Sequence, residues 1–373
     1  MRYGFLLLPC PLSQQSVENS HRRLCFGGES LPKTRKMTTT QPFVSIIVPC
    51  YNEETTIHHL LEAVLAQTYP RKRIELIISD GFSKDRTRDV IAVFQKIHVD
   101  LSVRVVDNTT KTIPSGLNQA IRESRGEIII RLDAHSMPIP EYIERCVLAH
   151  QSGRGSNIGG VWEIRPGAET RMAEAISFAA AHPLGVGDAM YRLNATAGAV
   201  DTVPFGSFRR DLIDKIGVFD ETLLANEDYE FNTRVRESGG IVWLDPSIRS
   251  IYFSRSTLGK LAAQYWRYGY WKLKMLKRYP HTLRWRQALP PLFVFSLLAL
   301  FVLSLFFELS RIVLMAQLIM YFSILGLAGI RLAFIKGKGF LILGLPLAIT
   351  TMHVSWGAGF LWSGIQDLFN KNG

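Results

Sequence analysis

Cysteine is scarce in this chain of 373 residues, and its four cysteines form no metal-binding or disulfide pattern. Cys10, Cys25, Cys50 and Cys146 are widely spaced and include no C-x-x-C pair. Zinc sites and disulfide frameworks depend on such pairs or on regular spacings, so neither is expected here. A reducing compartment is therefore the expected environment.

Acidic residues are absent from residues 251–290, although this stretch holds nine Lys and Arg residues. The chain has a net charge of +11, and the excess is concentrated in this stretch and in residues 1–36. Clustered positive charge can bind nucleic acid or anionic lipid. Because the stretch runs directly into an apolar segment, we expect membrane lipid as the partner and no nucleic acid.

Acidic and basic residues are also missing from two long apolar segments, 287–307 and 312–330, and a third, 339–366, has only His353. Each can cross a hydrocarbon core of about 30 Å, which predicts a membrane domain of three helices over 287–366. Buried helices of a soluble protein are the alternative. The Lys and Arg bias predicts a multi-pass protein of the cell membrane, with the N-terminal part cytoplasmic and the C-terminus outside.

Residues 1–42 show no periodic apolar pattern, so we predict a disordered leader, with Met37 as an alternative start. After it, apolar strand patterns at 43–48, 74–78, 101–106 and 127–132 alternate with helical patterns. Asn52 is predicted to cap the first helix. This alternation predicts an α/β fold over 43–255, with a mostly parallel sheet and helices on both faces.

Polar residues stand at the carboxyl ends of these strands, where such sheets bind ligands. Asp80, followed by Gly81, can accept the imide N–H of a uracil, although an Asp-Gly turn is also ordinary loop chemistry. Asp133 and His135 alternate on one side of a strand, which suits a divalent cation that neutralises a diphosphate. An unrelated surface acid and imidazole remain the alternative.

Two further groups of residues could carry chemistry. Glu227 and Asp228 are candidates for a general base, although acids at a helix start also serve the helix dipole. Residues 256–286 are predicted to form a basic, amphipathic segment lying in the membrane interface. Within it, Gln264 and Arg267 belong to an aromatic and basic cluster, in which Arg267 could bind phosphate or simply join an interfacial aromatic belt.

Five motifs in this order resemble those of the family 2 glycosyltransferases, which have the GT-A fold. They are V-S-I-I-V-P-C-Y-N-E-E at 44–54, D-G-F-S-K-D-R-T at 80–87, D-A-H at 133–135, the glycine-containing segment at 206–221, and the Glu227-Asp228 pair. The C-terminal spans and the cluster at 264–271 are similar to those of bacterial succinoglycan-type exopolysaccharide glucosyltransferases.

This resemblance implies a transferase that moves a sugar, glucose by this comparison, from a nucleotide diphosphate such as UDP. The acceptor would be a hydroxyl of a lipid-linked saccharide in exopolysaccharide or cell-surface glycan synthesis, and the reaction would invert the anomeric configuration. It implies Mn²⁺ or Mg²⁺ as the cofactor. The implied site residues are Pro49, Tyr51, Glu53, Asp80, Asp133 and Gln264 for the donor, Asp133 and His135 for the metal, and Asp228, Glu227 and Arg267 for catalysis.

Two departures from the family pattern affect these expectations. His135 replaces the second carboxylate of D-x-D, and imidazole is a softer ligand, so the metal identity stays open. Tyr268 follows Arg267 where processive members carry Trp, which favours the addition of a single sugar. A polyprenyl-phosphate sugar synthase, whose acceptor needs no base, and an inactive membrane scaffold of the same fold are the alternative functions.

Overall fold

The computed structural model describes residues 41–193 and 195–370, so the predicted leader lies outside the described residues apart from residues 41 and 42. The strands are β1 (Val44–Cys50), β2 (Ile74–Asp80), β3 (Ser102–Asp107), β4 (Ile128–Arg131), β5 (Met137–Pro138), β6 (Asn157–Arg165), β7 (Gly198–Ala199), β8 (Ser207–Arg209) and β9 (Val242–Phe253). The first eight helices are α1 (Ile57–Leu65), α2 (Thr87–Ile97), α3 (Ile113–Glu123), α4 (Tyr142–Gln151), α5 (Arg171–Ala179), α6 (Pro183–Val186), α7 (Arg210–Ile216) and α8 (Glu227–Glu237). The last four are α9 (Leu258–Leu276), α10 (Trp285–Ser304), α11 (Glu308–Lys336) and α12 (Leu341–Asn370).

The strands form one mixed sheet in the order β3-β2-β1-β4-β8-β6-β9-β5, with β7 pairing beside β9. The four strands predicted from the sequence, β1 to β4, run parallel to one another. β8 then pairs antiparallel with both β4 and β6. One apolar core lies between the sheet and α1, α2 and α4, and a second lies under α3, α7 and α8. The predicted α/β architecture with helices on both faces is confirmed.

The segment between β1 and α1 differs from the prediction. α1 begins at Ile57, after Thr56, and has no acid in its first turn, so the predicted helix cap at Asn52 is wrong. Asn52 instead adopts a left-handed conformation (φ 54°), and its side-chain oxygen accepts a hydrogen bond from the backbone N–H of Lys84 at 2.8 Å. The backbone N–H of Asn52 donates to the Ser83 hydroxyl, also at 2.8 Å. These two hydrogen bonds connect the loops that follow β1 and β2, at the carboxyl ends of those strands.

The three predicted spans are present as α10, α11 and α12, each long and apolar enough to cross a membrane. Many of their large side chains are exposed, among them Phe334 of α11 and Leu343 of α12, at 83% and 72%. A soluble protein rarely leaves apolar surface of this extent uncovered, so the alternative of buried core helices does not describe these segments.

α9 packs beside α12, a contact that the predicted interfacial helix did not include. A Cβ on Gly269 would fall 2.0 Å from the backbone oxygen of Trp356, and one on Gly359 would fall 2.3 Å from that of Trp266. The two backbones therefore touch at two glycines, one on each helix. Helix-to-helix packing, and not lipid alone, fixes the position of α9.

The basic stretch is also less available to lipid than its charge predicts. Lys272 is 1% exposed. Five other basic residues of 251–290 form ion pairs with acids from elsewhere in the chain: Lys274 and Lys277 with Asp367, Arg278 with Asp220, Arg284 with Asp201, and Arg286 with Asp188 and Asp201. The ion pairs and the burial of Lys272 reduce the positive charge that this stretch can offer to lipid headgroups, which the sequence did not predict.

Candidate functional site

A cavity of about 600 Å³ lies between the sheet and the apolar C-terminal helices. Its sheet-side wall carries the strand-end and helix-start acids, and its opposite wall is apolar. The residues that define the two walls are Arg131, Asp133, His135, Glu227 and Asp228 on the first, and Leu289, Pro290, Phe293, Met352 and Trp356 on the second. Side chains from α9, including Gln264 and Arg267, line the space between them.

Arg131 stands at the centre of the acidic wall and is 3% exposed. β4 ends at Arg131, which places Asp133 just beyond the strand, and α8 delivers two acids from the other side. One terminal nitrogen of Arg131, Nη2, lies 3.2 Å from Asp133 Oδ1 and 3.0 Å from Glu227 Oε1. The other, Nη1, pairs with Asp228. Three carboxylates thus share one guanidinium, and the cluster has an excess of two negative charges when all three are ionised.

This environment changes the acidity of Asp228. Burial raises the pKa of Asp228 to about 7, and the neighbouring charges of Glu227 and Asp133 add to that effect, while Arg131 opposes it. The Asp228 side chain is still 27% exposed, compared with 10% for Glu227. A general base works best when its pKa lies near the working pH, so Asp228 is the better placed of the two acids to accept a proton.

His135 is held by Glu53, whose Oε1 lies 3.1 Å from His135 Nδ1. Burial alone would lower the pKa of His135, but this hydrogen bond and the charges of Asp133 and Glu53 outweigh it, so the pKa is raised. The other ring nitrogen, Nε2, remains for a metal ion. Within residues 41–193 and 195–370, no three His, Cys, Asp or Glu side chains are grouped to hold a metal. Asp133 and His135 could supply two protein ligands, which would leave positions for diphosphate oxygens.

Four of the six residues predicted to bind the donor lie outside the lining of this cavity: Pro49, Tyr51, Glu53 and Asp80. Tyr51 is 45% exposed beyond the end of β1. Asp80 is wholly buried, and its carboxylate accepts hydrogen bonds from Ser83 and from Arg88 Nε at 2.6 Å. The Asp80 carboxylate is therefore not accessible to the uracil of a donor nucleotide in this structure. Its hydrogen bonds instead hold the loop after β2 in position. Direct contact between Asp80 and a uracil would require Ser83 or Arg88 to move.

The two predicted site residues on α9 reach the cavity. Gln264 Nε2 donates to the hydroxyls of Tyr252 and Tyr268, at 3.1 Å and 2.8 Å. Arg267 is exposed, and no acid in the described part of the chain pairs with it. The backbone oxygen of Tyr268 accepts a hydrogen bond from Asn226 Nδ2 at 3.3 Å, which joins α9 to the start of α8. Asn226 therefore precedes α8 without capping it through its side chain.

Comparison with known proteins connects this geometry to a family. Residues 45–217 match the model of glycosyl transferase family 2, a segment that includes β1 from its second residue, the Asp80 loop and Asp133. The match shows that the chain contains a family 2 glycosyltransferase domain. It is an enzyme of the nucleotide-sugar-dependent class, as the sequence motifs predicted.

Two relatives of this chain are named for sugar transfer and for polysaccharide biosynthesis. A Methanococcus voltae protein is 28% identical over 324 residues, covering 85% of this chain and 96% of its own length. It is named dolichyl N-acetyl-alpha-D-glucosaminyl phosphate 3-beta-D-2,3-diacetamido-2,3-dideoxy-beta-D-glucuronosyltransferase. The succinoglycan biosynthesis protein ExoA of Rhizobium meliloti is 28% identical over 248 residues, covering 66% of this chain and 73% of ExoA.

A solved structure supports the fold assignment. The mannosyltransferase PcManGT of Pyrobaculum calidifontis, determined with GDP-mannose and Mn²⁺, superposes with a TM-score of 0.58. The superposition covers 84% of this chain and 88% of that one, at 19% sequence identity. At this identity the likeness shows the GT-A fold and nothing about the substrate.

Two arginines of this glycosyltransferase were not predicted from its sequence. Arg131 ends the apolar strand β4, two residues before Asp133, so its nearness to Asp133 could be predicted, but its pairing with α8 could not. Arg192 lies in the irregular region between β6 and β8, and no local pattern distinguishes it. It nevertheless lines the cavity and is 8% exposed.

Proposed function

We propose that this glycosyltransferase transfers a sugar from a nucleotide-diphosphate donor to a hydroxyl of a lipid-linked saccharide, with inversion at the anomeric carbon. The observation that supports this best is the cavity itself. Its sheet-side wall carries Asp133 and Asp228, and its other wall belongs to helices long and apolar enough to cross a membrane. A polar saccharide and the apolar carrier to which it is attached can therefore occupy one continuous space.

Asp228 is the proposed base. As the acceptor hydroxyl oxygen bonds to the anomeric carbon, its proton passes to Asp228, and the bond from that carbon to the diphosphate oxygen breaks. A single displacement of this kind converts an α-linked donor into a β-glycoside. Glu227 and Arg131 hold Asp228 in place, and Arg267, which has no acidic partner, is available to the departing diphosphate.

Asp133 and His135 are the proposed ligands for a divalent cation, Mn²⁺ or Mg²⁺. The excess of two negative charges around Arg131 supports this assignment, because a diphosphate cannot approach such a cluster without added positive charge. When bound, the cation would neutralise charge on the leaving diphosphate.

The relatives suggest a donor and an acceptor for this reaction. We propose a UDP-sugar donor, with glucose as the first candidate, and an acceptor in exopolysaccharide or other cell-surface glycan synthesis. The Methanococcus voltae relative, whose name gives a dolichyl-phosphate-linked acceptor, supports the lipid-linked form. ExoA, which is named for succinoglycan biosynthesis, supports the exopolysaccharide context. The catalytic domain would face the cytoplasm, where nucleotide sugars are made.

A donor screen tests the proposal. The purified full chain, in detergent or nanodiscs, is incubated with UDP-glucose, UDP-N-acetylglucosamine and GDP-mannose, each with Mn²⁺, Mg²⁺ or a chelator, and nucleoside diphosphate release is measured. We expect metal-dependent release from at least one donor. If no donor is bound or hydrolysed with either metal, the assignment of an active transferase is wrong, and the scaffold alternative stands.

A polyprenyl-phosphate sugar synthase is the second candidate. Its acceptor is already an anion, so it needs no base. The pKa of about 7 at Asp228 favours a hydroxyl acceptor, because only a hydroxyl must lose a proton during transfer. A phosphate acceptor is already ionised and gains nothing from a base. Transfer to a polyprenyl phosphate that persists in Asp228→Asn would support this second candidate.

A further inference from the structure

Arg192 occupies an unusual environment in the cavity. Its guanidinium carbon lies 4.7 Å from the ring centre of Trp162, 5.4 Å from that of Tyr191 and 5.6 Å from that of Tyr252. Trp162 and Tyr252 stack on each other at 4.2 Å with nearly parallel planes. We call Arg192 and these three rings the aromatic cage. A planar guanidinium held against aromatic faces is fixed in direction while its N–H edges remain available.

The cage lacks a negative partner. Among the described residues, no acceptor forms a hydrogen bond with the Arg192 guanidinium, and the buried Nε1–H of Trp162 also has none. The other buried arginines of the cavity, Arg131 and Arg286, each pair with two or more carboxylates. Because a buried cation is normally paired, the exception at Arg192 indicates a place for an anion that comes from outside the chain.

We infer that the aromatic cage binds the phosphate group that links the acceptor saccharide to its lipid. This inference rests on the proposed function and adds to it a site for the carrier phosphate. Phosphate suits the geometry because a guanidinium edge donates two parallel hydrogen bonds to a pair of phosphate oxygens. The exposed Arg255 and Arg267 line the same cavity and also lack acidic partners in the described part of the chain, so they would add to the attraction.

The surroundings of the cage favour the carrier phosphate over the diphosphate of the donor. The predicted nucleotide-binding residues Tyr51 and Asp80 do not line the cavity, whereas apolar side chains such as Leu289 and Phe293 do. Those two residues belong to α10, a helix long and apolar enough to cross a membrane. A phosphate at Arg192 would therefore share one cavity with the acidic wall, which the saccharide must reach, and with the apolar wall, where an isoprenoid chain can lie.

Binding of a simple isoprenoid phosphate tests the inference. The full chain in detergent is titrated with phytanyl phosphate, with its neutral alcohol phytanol, with inorganic phosphate, and with UDP plus Mn²⁺. We expect Arg192→Gln to weaken phytanyl phosphate binding by at least about tenfold, the scale of one lost charge-assisted contact. Phytanol and UDP binding should not change. Inorganic phosphate should compete only weakly, because it lacks the apolar chain.

Two further variants complete the design. Arg165→Gln is the matched control, since Arg165 lies on β6 like Trp162 but is half-exposed, pairs with Glu163 and does not line the cavity. It should bind every probe normally. Arg192→Lys keeps the charge and loses the planar fork, so it should bind phytanyl phosphate several-fold more weakly. This variant decides the question if Arg192→Gln does not fold.

Specific results would overturn the inference. Unchanged phytanyl phosphate binding in Arg192→Gln or Arg192→Lys would exclude a role for the cage in phosphate recognition. A loss confined to UDP would assign Arg192 to the donor, and an equal loss for phytanol would make its role structural. Each of these results leaves the proposed function standing as long as the unmodified chain still hydrolyses a nucleotide sugar, so the two failures are distinguishable.

Discussion

Replacing Asp228 by Asn should remove the base while preserving the site around it. The amide can still contact Arg131, and the cluster would retain an excess of one negative charge in place of two. Loss of a general base costs about 10² to 10⁴ in rate. Because 27% of the Asp228 side chain is exposed, water can partly replace it, so we expect the lower end. A hundredfold loss corresponds to about 2.7 kcal/mol of transition-state stabilisation.

The same residue predicts the pH dependence of transfer. Asp228 must be ionised to accept a proton, and its pKa is raised to about 7. The kcat/KM of the unmodified enzyme should therefore rise with pH through about 7 and then level off. In Asp228→Asn this rise should be absent. The assay follows transfer of a radiolabelled sugar to a lipid-linked acceptor across this pH range, with UDP binding measured separately to show that the donor site is intact.

Glu227→Gln is the comparator that separates a base from a charge effect. It removes one negative charge from the same cluster and keeps contact with Arg131, but Glu227 is only 10% exposed. We expect it to lose much less transfer activity than Asp228→Asn. Equal losses in the two variants would assign the effect to charge alone, and a rise with pH that persists in Asp228→Asn would show that another group is the base.

Three further predictions concern the metal, the helix packing and the membrane topology. Asp133→Ala should weaken UDP binding at least about tenfold in the presence of Mn²⁺; calorimetry checks this, and equal affinity with and without the mutation would exclude Asp133 as a ligand. Gly269→Ala should destabilise the chain by about 1–3 kcal/mol, because its Cβ would fall 2.0 Å from the Trp356 backbone oxygen. Gly259→Ala, on the same helix with open space around it, should be neutral in the same thermal unfolding assay. A reporter fused after Gly373 should be active outside the cytoplasm, and a cytoplasmic signal would mean that one of the three apolar helices does not cross.

The parts of the fold that the sequence predicted are those with strong local signals. Strand and helix alternate from β1 to β4, and three uncharged segments end the chain, so short windows are enough to identify them. The position of β8 was not predictable in this way. Its three residues, Ser207–Arg209, insert antiparallel between β4 and β6, and that pairing is decided by contacts between residues far apart in the chain.

The candidate site also has parts that local sequence indicated and parts that depend on distant contacts. Asp133 and His135 were visible because they follow a strand, whereas the contact of Arg131 with Glu227 joins residues 96 positions apart. The packing of α9 against α12 was not predicted because an apolar face and basic residues suit a lipid surface and a protein partner equally well. Here Asp367 and other distant acids neutralise much of the basic stretch, and no window of sequence reveals which acids those are.

The last helix of the chain supplies part of the wall around the cavity, through Met352 and Trp356, and holds α9 by close backbone contact at Gly269. A ribosome makes the sheet and its acids long before it makes this helix. During synthesis, the cavity therefore stays open on this side until α12 has been made and packed against α9. Assembly order thus gives this enzyme a safeguard, because a chain released before α12 is complete lacks the enclosed cavity.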